Sequence, residues 1–292
     1  MPRKTYDVIV IGGGGAGMMA AITASSGTPM TKITPRSLKK VLLIEKYKMG
    51  GIALFGNLAL TRNNVINGWK LTSSLIEEID FLPIDVHLNE IVTSLDFSQS
   101  TKKVITNRNI YSAKAIIISC GIFPYSDWLA KPNTILLTNR FEDQNQFFID
   151  LEKKDRSKKP ILLVGTNQFT SKTEYRIKKY ARSQKIIKLI TASQNLQISN
   201  YKKYKKILFD YYSFKNQPTT TKFLKGTGIK INRGYIKTNP FFQTSIDGVF
   251  ACGNVSFPVS GIVQAIYSGF IAGLKTRQLI MKKRADLFPW LT

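Results

Sequence analysis

Three glycines near the N-terminus, Gly12, Gly14 and Gly17, have the residue type and the spacing of a phosphate-binding turn, G-x-G-x-x-G. The first glycine of such a turn permits a tight bend, the second lets the backbone approach a pyrophosphate, and the third lets a helix pack closely on a strand. A helix that begins here presents free N–H groups and the positive end of its dipole to phosphate. The spacing therefore predicts a binding site for a dinucleotide.

The residues around these glycines predict the elements that such a turn needs. Val and Ile dominate residues 6–11 without polar alternation, which predicts a buried parallel strand. Residues 18–26 are small and apolar, which predicts a helix. A second predicted strand at 41–44 ends in Glu45, and a carboxylate at that place accepts hydrogen bonds from ribose hydroxyls. Residues 27–40 contain two prolines and predict a loop between the helix and this strand.

A second group of motifs lies farther along the chain. Residues 248–254 read G-V-F-A-C-G-N, and the small residues after them predict a helix at 261–277. Residues 113–119 predict another strand, apolar apart from Lys114 and Ser119, which leads into Cys120 and Gly121.

Together these segments resemble the FAD-dependent pyridine nucleotide–disulfide oxidoreductase superfamily, most nearly the low-molecular-weight thioredoxin reductases, over nearly the whole chain. The segment Ser119, Cys120 and Gly121 resembles the family's Ala-Thr-Gly, and residues 248–254 resemble its Gly-Val-Phe-Ala-x-Gly-Asp. The resemblance implies FAD as the cofactor. The residues that it implies at the cofactor are Gly12, Gly14, Gly17, Glu45, Gly50, Gly51, Gly121, Gly253 and Asn254.

The resemblance also implies the fold, an α/β protein of two Rossmann-like modules. The FAD module is split in sequence, into residues 1–118 and 238–292, around an inserted nicotinamide-binding-like module at 119–237. Gly253 and Asn254 are then expected near the ribityl chain and phosphate of the flavin. Asn254 stands where the family has Asp, and its amide can still hydrogen-bond a hydroxyl.

The cysteines depart from the family pattern. Thioredoxin reductases have Cys-x-x-Cys early in the inserted module, whereas residues 132–140 contain no cysteine. Flavin-to-disulfide exchange needs two thiols that can bond, and Cys120 and Cys252 are far apart in sequence. We therefore predict no dithiol active site. Two cysteines favour a reducing compartment, cytoplasm or organelle interior, and no targeting peptide is expected in this chain.

The inserted module has also lost the pattern of a nucleotide loop. A strand is predicted at 161–164, and residues 165–170 then read G-T-N-Q-F-T, where only Gly165 fits the motif. We expect Asn167 and Phe169 to place side chains where a pyrophosphate meets the backbone. The next predicted strand, 186–191, is followed by neither the acid nor the arginines that hold a nicotinamide dinucleotide's ribose. The sequence thus predicts loss of NAD(P)H binding.

The net charge of +25 is unevenly distributed along the sequence. Residues 153–237 hold 22 basic and 3 acidic side chains, net +19, while 1–152 and 238–292 are each at net +3. Tyrosines lie between these cations in the sequence, a pattern that suits phosphate contact and base stacking. The alternative explanation for the excess charge is compositional drift in a module that tolerates substitution. We expect Lys and Arg residues that accumulated at the former nucleotide site to form a surface that contacts a polyanion. The candidate polyanion contacts are Lys178, Lys179, Arg182, Lys202, Lys203, Lys205 and Lys206.

Three functions remain open from the sequence. One is a flavin oxidoreductase with an unidentified donor, such as ferredoxin or another flavoprotein. Another is a nicotinamide-dependent reductase without a cysteine pair, like the thioredoxin-reductase-like ferredoxin–NADP reductases. The last is an inactive structural flavoprotein whose basic residues 153–237 bind RNA or a ribonucleoprotein assembly. No apolar run approaches the roughly 20 residues that span a bilayer.

Overall fold

The computed structural model describes residues 4–28, 34–35, 37–55, 57–59, 65–121, 134–137, 159–190, 200–210, 221–257 and 261–281. The chain divides into two compact units, the first made of residues 1–122 and 218–292 and the second of residues 123–217. Residues 218–237, which the sequence prediction placed with the inserted module, fall in the first unit because Leu224, Ile229 and Ile236 are buried in its core.

The first unit is built on a seven-stranded sheet. Six of its strands follow the order β5-β2-β1-β8-β7-β6, and the seventh, β15, pairs with β8. The amino half of β8 pairs with β7, and its carboxyl half pairs with β15. Strands β1, β2, β5, β8 and β15 run parallel, and the apolar sequences of β1 and β8 suit strands covered on both faces. The strands are β1 (Lys4–Ile11), β2 (Val41–Glu45), β5 (Ile84–Leu88), β6 (Val92–Asp96), β7 (Lys102–Thr106), β8 (Ile110–Ile118) and β15 (Val249–Ala251).

The smaller elements of the first unit surround this sheet. Two short hairpins are antiparallel, β3 with β4 and β13 with β14. Helix α2 follows β4 and buries Leu75 and Ile79. The bounds are α1 (Gly15–Ser26), β3 (Asn57–Ala59), β4 (Val65–Asn67), α2 (Gly68–Asp80), β13 (Ile231–Asn232), β14 (Tyr235–Ile236) and α4 (Ile262–Met281), with 3₁₀ turns at Gly51–Phe55, Lys222–Leu224 and Gly253–Val255.

Helices α1 and α4 pack against each other at unusually close range because α4 carries glycines four residues apart. A Cβ atom at Gly269 would overlap the carbonyl oxygen of Ala16, and one at Gly273 would overlap the hydroxyl of Thr23. Small residues at a helix interface allow this approach, and α1 is buried on nearly every side as a result. The close packing fixes the start of α1 beside the segment that precedes α4.

A buried arginine closes the carboxyl end of α1. The guanidinium of Arg277 donates to the carbonyl oxygens of Ala24 and Ser25, in the last turn of α1, and to that of Ser37 at 2.6 Å. Terminal carbonyls of a helix need such donors, and a cation also matches the helix dipole. Burial lowers the pKa of Arg277. The residue ties α1, α4 and the loop before β2 together.

The second unit contains a parallel four-stranded sheet in the order β11-β10-β12-β9. Helix α3 packs on it through Phe169 and Ile177, which contact Ile161, Leu163 and Leu208 of the sheet. The elements are β9 (Thr134–Leu137), β10 (Ile161–Gly165), α3 (Asn167–Tyr180), β11 (Ile186–Ile190) and β12 (Lys206–Asp210), with a 3₁₀ turn at Tyr201–Lys203. Both units are α/β, the first on a mixed sheet and the second on a parallel one, which confirms the predicted fold class.

None of the helices within the described ranges has the length and apolar composition that crossing a membrane requires.

Candidate dinucleotide site

The turn between β1 and α1 consists of three glycines, and the structure shows why two of the motif positions exclude side chains. Gly12 has a φ of +105°, and a Cβ there would lie 2.6 Å from the carbonyl oxygen of Ser119. A Cβ at Gly17 would overlap the carbonyl oxygen of Gly12. These two glycines are therefore required by the packing of the turn itself.

Gly14 differs from both because nothing in the described part of the chain forbids a side chain there. Its φ of −72° is open to any residue, and no atom lies within 4 Å of a Cβ built on it. The first N–H groups of α1 begin at the next residue, Gly15. The open space in front of Gly14 is thus where a ligand's phosphates can approach the backbone.

Glu45, at the end of β2, faces this turn. Its Oε2 accepts a hydrogen bond from the Gly13 N–H at 2.6 Å, and its Oε1 accepts one from the Tyr47 N–H at 2.8 Å. Burial raises the pKa of Glu45 to about 7, against the opposing effect of backbone hydrogen bonds from Gly13 and Lys46. The carboxyl group is therefore held beside the turn and can gain or lose a proton near neutral pH.

Gly50 and Gly51 form a second loop alongside the first. The Gly50 N–H donates to the Gly13 carbonyl oxygen at 2.7 Å, and Gly50 pairs with Gly14 as an isolated parallel bridge. Both have positive φ, +98° and +51°. A Cβ at Gly51 would stand 3.4 Å from the Gly14 Cα, so this loop borders the open space.

Ser119 is a residue of the site that the sequence reasoning did not single out. Its hydroxyl donates to the carbonyl oxygens of Ile11 at 3.0 Å and Gly12 at 2.9 Å, which fixes the end of β8 to the glycine turn. The signal was present in the sequence, as a hydroxyl residue where the resembled motif has Ala. Gly121, two residues on, has a φ of +69°, and no atom of the residues that the structure describes lies within 4 Å of a Cβ built on it.

The carboxyl-terminal motif meets the amino-terminal one. Gly253 has a φ of +71°, and a Cβ on it would lie 2.8 Å from the Cβ of Ala16 in the first turn of α1. Its N–H donates to the Ser268 hydroxyl at 2.9 Å, which anchors the turn to α4. Because β15 pairs with β8 in parallel, the Gly253–Val255 turn, with half-buried Asn254, follows the same carboxyl edge of the sheet.

Cys120 and Cys252 follow neighbouring strands but point to opposite faces of the sheet. Ala251 pairs with Ile118, and side chains alternate along each strand. Cys252 is buried in the cluster that contains α1, whereas Cys120 packs against the cluster on the other face. Burial raises the pKa of Cys252. A disulfide requires Cβ atoms about 4 Å apart, and this arrangement opposes it.

The corresponding connection in the second unit is shorter. Only Thr166 separates the end of β10 at Gly165 from the start of α3 at Asn167, and the Thr166 hydroxyl accepts from the Phe169 N–H at 3.2 Å. Thr170, in the place of the third glycine, is fully buried and donates to the Asn167 carbonyl oxygen at 3.1 Å. The Thr166 hydroxyl thus already accepts from the Phe169 N–H, one of the N–H groups in the first turn of α3.

The prediction for Phe169 was wrong in one respect. Its ring is 6% exposed and lies in the core of the second unit with Leu163 and Ile177, so it does not occupy a phosphate position. Three positions after the N-cap Thr166, the Phe169 side chain points under the helix onto the sheet. Asn167 is exposed, and its predicted place at a pyrophosphate position stays a prediction. Residues 192–194, which follow the next strand, lie outside the described residues.

The seven candidate polyanion contacts lie elsewhere in the second unit than predicted. Lys178 Nζ donates to the carbonyl oxygens of Arg182 and Gln184, Gln184 Nε2 donates to that of Lys159, and Lys159 Nζ donates to that of Lys202. These links gather the group where β10, β11 and β12 begin. That is the amino edge of the sheet, opposite Gly165.

Their exposure differs from residue to residue. Lys179, Arg182, Lys202 and Lys203 are exposed, and Lys203 Nζ lies 5.3 Å from the Tyr204 ring centroid. The three remaining members are half-buried: Lys178, Lys205 and Lys206.

Both units have a net positive charge. The first unit contains 24 basic and 10 acidic side chains, net +14, and the second contains 19 and 8, net +11. Two segments account for the difference from the sequence partition: residues 218–237, net +5, belong to the first unit, and residues 123–152, net −3, belong to the second.

No protein-family model matches the chain. A ferredoxin–NADP reductase of Streptococcus pyogenes is 24% identical over 92% of this chain and 91% of its own. A thioredoxin reductase structure from Lactococcus lactis has a TM-score of 0.60 at 21% identity, covering 95% and 100% of the two chains. A ferredoxin-flavin thioredoxin reductase from Clostridium acetobutylicum has a TM-score of 0.53 at 18% identity, covering 97% and 100%. These comparisons confirm the resemblance and the two-module fold.

Proposed function

We propose, because the chain shares its fold and nearly its whole length with these reductases, that it is an FAD-binding flavoprotein oxidoreductase with the cofactor in its first unit. One observation carries the proposal: motifs from opposite ends of the chain converge at one edge of one sheet. The Gly12–Gly14 turn, the Gly50 loop and the Gly253–Val255 turn all border the open space in front of α1.

The residues at this edge fit the parts of FAD. The backbone at Gly14 and the start of α1 suit the pyrophosphate, and Glu45 suits the ribose hydroxyls as an acceptor. Gly253 and Asn254 suit the flavin side. FAD supplies the electron transfer when bound, and the protein holds and orients it.

The proposed electron donor is a protein, such as a ferredoxin or another flavoprotein, rather than NADPH. The one-residue connection at Thr166 and the buried Thr170 leave α3 without a glycine loop for a pyrophosphate. The opposed faces of Cys120 and Cys252 argue against dithiol exchange. Free cysteines also suit a reducing compartment.

Anaerobic mixing with NADPH tests the donor. Excess NADPH is expected to leave the flavin oxidised over several seconds, whereas dithionite is expected to reduce it. Absorbance at about 450 nm, where oxidised flavin absorbs, follows both reactions. Dithionite serves as the control that the flavin is reducible. Rapid bleaching by NADPH would contradict the proposal and favour a nicotinamide-dependent reductase without a cysteine pair.

A second candidate function is favoured by the cation cluster at the amino edge of the second unit. In this alternative the flavoprotein is structural and residues 153–237 bind RNA or a ribonucleoprotein. Glutamate at Lys202, Lys203, Lys205 and Lys206 is then expected to weaken RNA binding at about 100 mM salt, where the Debye length is about 10 Å. Filter binding of a labelled single strand measures this, and equal weak binding by both proteins would exclude the alternative.

A further inference from the structure

Residues 221–237 form an arm of the first unit, here called the basic arm. It consists of the Lys222–Leu224 turn and the β13–β14 hairpin. Leu224, Ile229 and Ile236 are at most 9% exposed and belong to the core on one face of the sheet. Ser245 Oγ accepts from the Lys230 N–H at 3.1 Å and donates to the Gly228 carbonyl oxygen at 3.1 Å. The arm is therefore held in place by its apolar residues and backbone.

Every charged side chain of the basic arm is a cation, and each one is exposed. Among the residues that the structure describes, none of them has a carboxylate within ion-pair distance. Asp247 is the one acid in the sequence between 221 and 257, and it accepts a hydrogen bond from Gln243 Nε2 at 3.4 Å. The cations are Lys222, Lys225, Lys230, Arg233 and Lys237.

The basic arm lies beside the proposed flavin side of the cofactor site. Strand β14 contacts the Gly253–Val255 turn, which follows β15 at the carboxyl edge of the sheet. The tip of its hairpin presents Arg233, whose φ is +48°, next to Gly234 at +83°. A partner bound to these cations is thus brought close to the segment that faces the flavin.

We propose that the basic arm is the docking surface for a small acidic electron-carrier protein that reduces the flavin. This inference rests on the proposed function. Two reduced carriers each lose one electron, and with two protons from water they convert FAD to FADH2. Opposite charge steers such partners together and raises their association rate about 10- to 1,000-fold.

The side chains of the arm favour a protein partner over RNA. Proteins that bind single-stranded RNA present exposed aromatic rings on which the bases stack. The aromatic residues of the arm, Phe223 and Tyr235, are half-buried, and Phe223 packs against the core. Ile231, next to Lys230 in the chain and 44% exposed, adds apolar contact area to the arm, as protein interfaces do.

The test compares two triple variants that change the net charge equally. The first replaces Lys230, Arg233 and Lys237 by Glu on the basic arm. The control replaces Lys185, Lys202 and Lys203, which are exposed in the second unit, by Glu. An acidic [2Fe–2S] ferredoxin is the probe: its chemically reduced form in stopped-flow mixing reports flavin reduction, and its oxidised form in calorimetric titration reports docking without electron transfer.

At low salt, the second-order rate constant of flavin reduction is expected to be about tenfold or more lower in the arm variant than in wild type. At about 1 M salt, where the Debye length is about 3 Å, the rate constants of the two proteins are expected to converge. Dithionite should reduce both variants at the wild-type rate. Equal ferredoxin rates in wild type and arm variant, or a loss confined to the control variant, would overturn the inference. So would RNA binding that only the arm variant loses.

Failure of the proposed function is distinguishable from failure of this inference. If the protein contains no flavin, the calorimetric titration still reports docking. Weaker ferredoxin binding by the arm variant alone then supports the docking surface, and unchanged binding overturns it.

Discussion

At the scale of single residues, Glu45 is expected to connect protonation to cofactor binding. Burial raises the pKa of its carboxyl group to about 7. Ribose hydroxyls donate hydrogen bonds, so they favour the ionised carboxylate, and FAD binding must release the proton that the group carries below pH 7. Affinity for FAD is therefore expected to fall as the pH is lowered through 7, by roughly tenfold per unit well below the pKa.

Fluorescence titration of the FAD-free protein with FAD between pH 5.5 and pH 8 measures this dependence. Glu45→Gln provides the control, because an amide keeps the shape and does not titrate. Its affinity is expected to be weaker at pH 8 and nearly constant with pH. A wild-type profile as flat as that of the variant would show that Glu45 does not meet the ribose.

At the scale of elements, Arg277 is expected to stabilise the first unit by holding the end of α1. Arg277→Met leaves the carbonyl oxygens of Ala24, Ser25 and Ser37 without their guanidinium donor. Hydrogen bonds to a charged group contribute about 1.5–3 kcal/mol each, so we expect the free energy of unfolding to fall by about 3 kcal/mol. Urea denaturation followed by circular dichroism measures the change.

Arg277→Lys is the matched control for this prediction. It keeps the charge near the helix terminus but cannot span α1 and the Ser37 carbonyl with one planar group. Its loss should lie between wild type and the Met variant. A Met variant as stable as wild type would mean that the three carbonyls find other donors.

The elements themselves were largely predictable, for identifiable reasons. The apolar runs within β1 and β8 favour buried strands, and the glycine spacing fixes α1 after β1. The inward direction of Phe169 was not predictable from a motif, because it depends on α3 beginning only two residues after Gly165. The role of Arg277 depends on a contact between residues about 250 positions apart.

At the scale of the whole molecule, the assignment of residues 218–237 to the first unit changes the meaning of the charge. Sequence windows placed net +19 in one segment, whereas the folded units have net +14 and +11. The segment has no motif, and its burial depends on isolated residues such as Leu224 and Ile236 between the cations. Only tertiary packing determines which unit such a segment joins.

The FAD content of wild type and of Gly14→Val tests the central claim most directly. The variant should fold normally, because Gly14 has an ordinary φ and open space around its Cβ position, and circular dichroism should confirm this. The new side chain fills the space proposed for the pyrophosphate. We predict one tightly bound FAD per wild-type chain and little or none in the folded variant. A wild-type protein without flavin absorption, or a variant that retains full FAD, would contradict the proposed site.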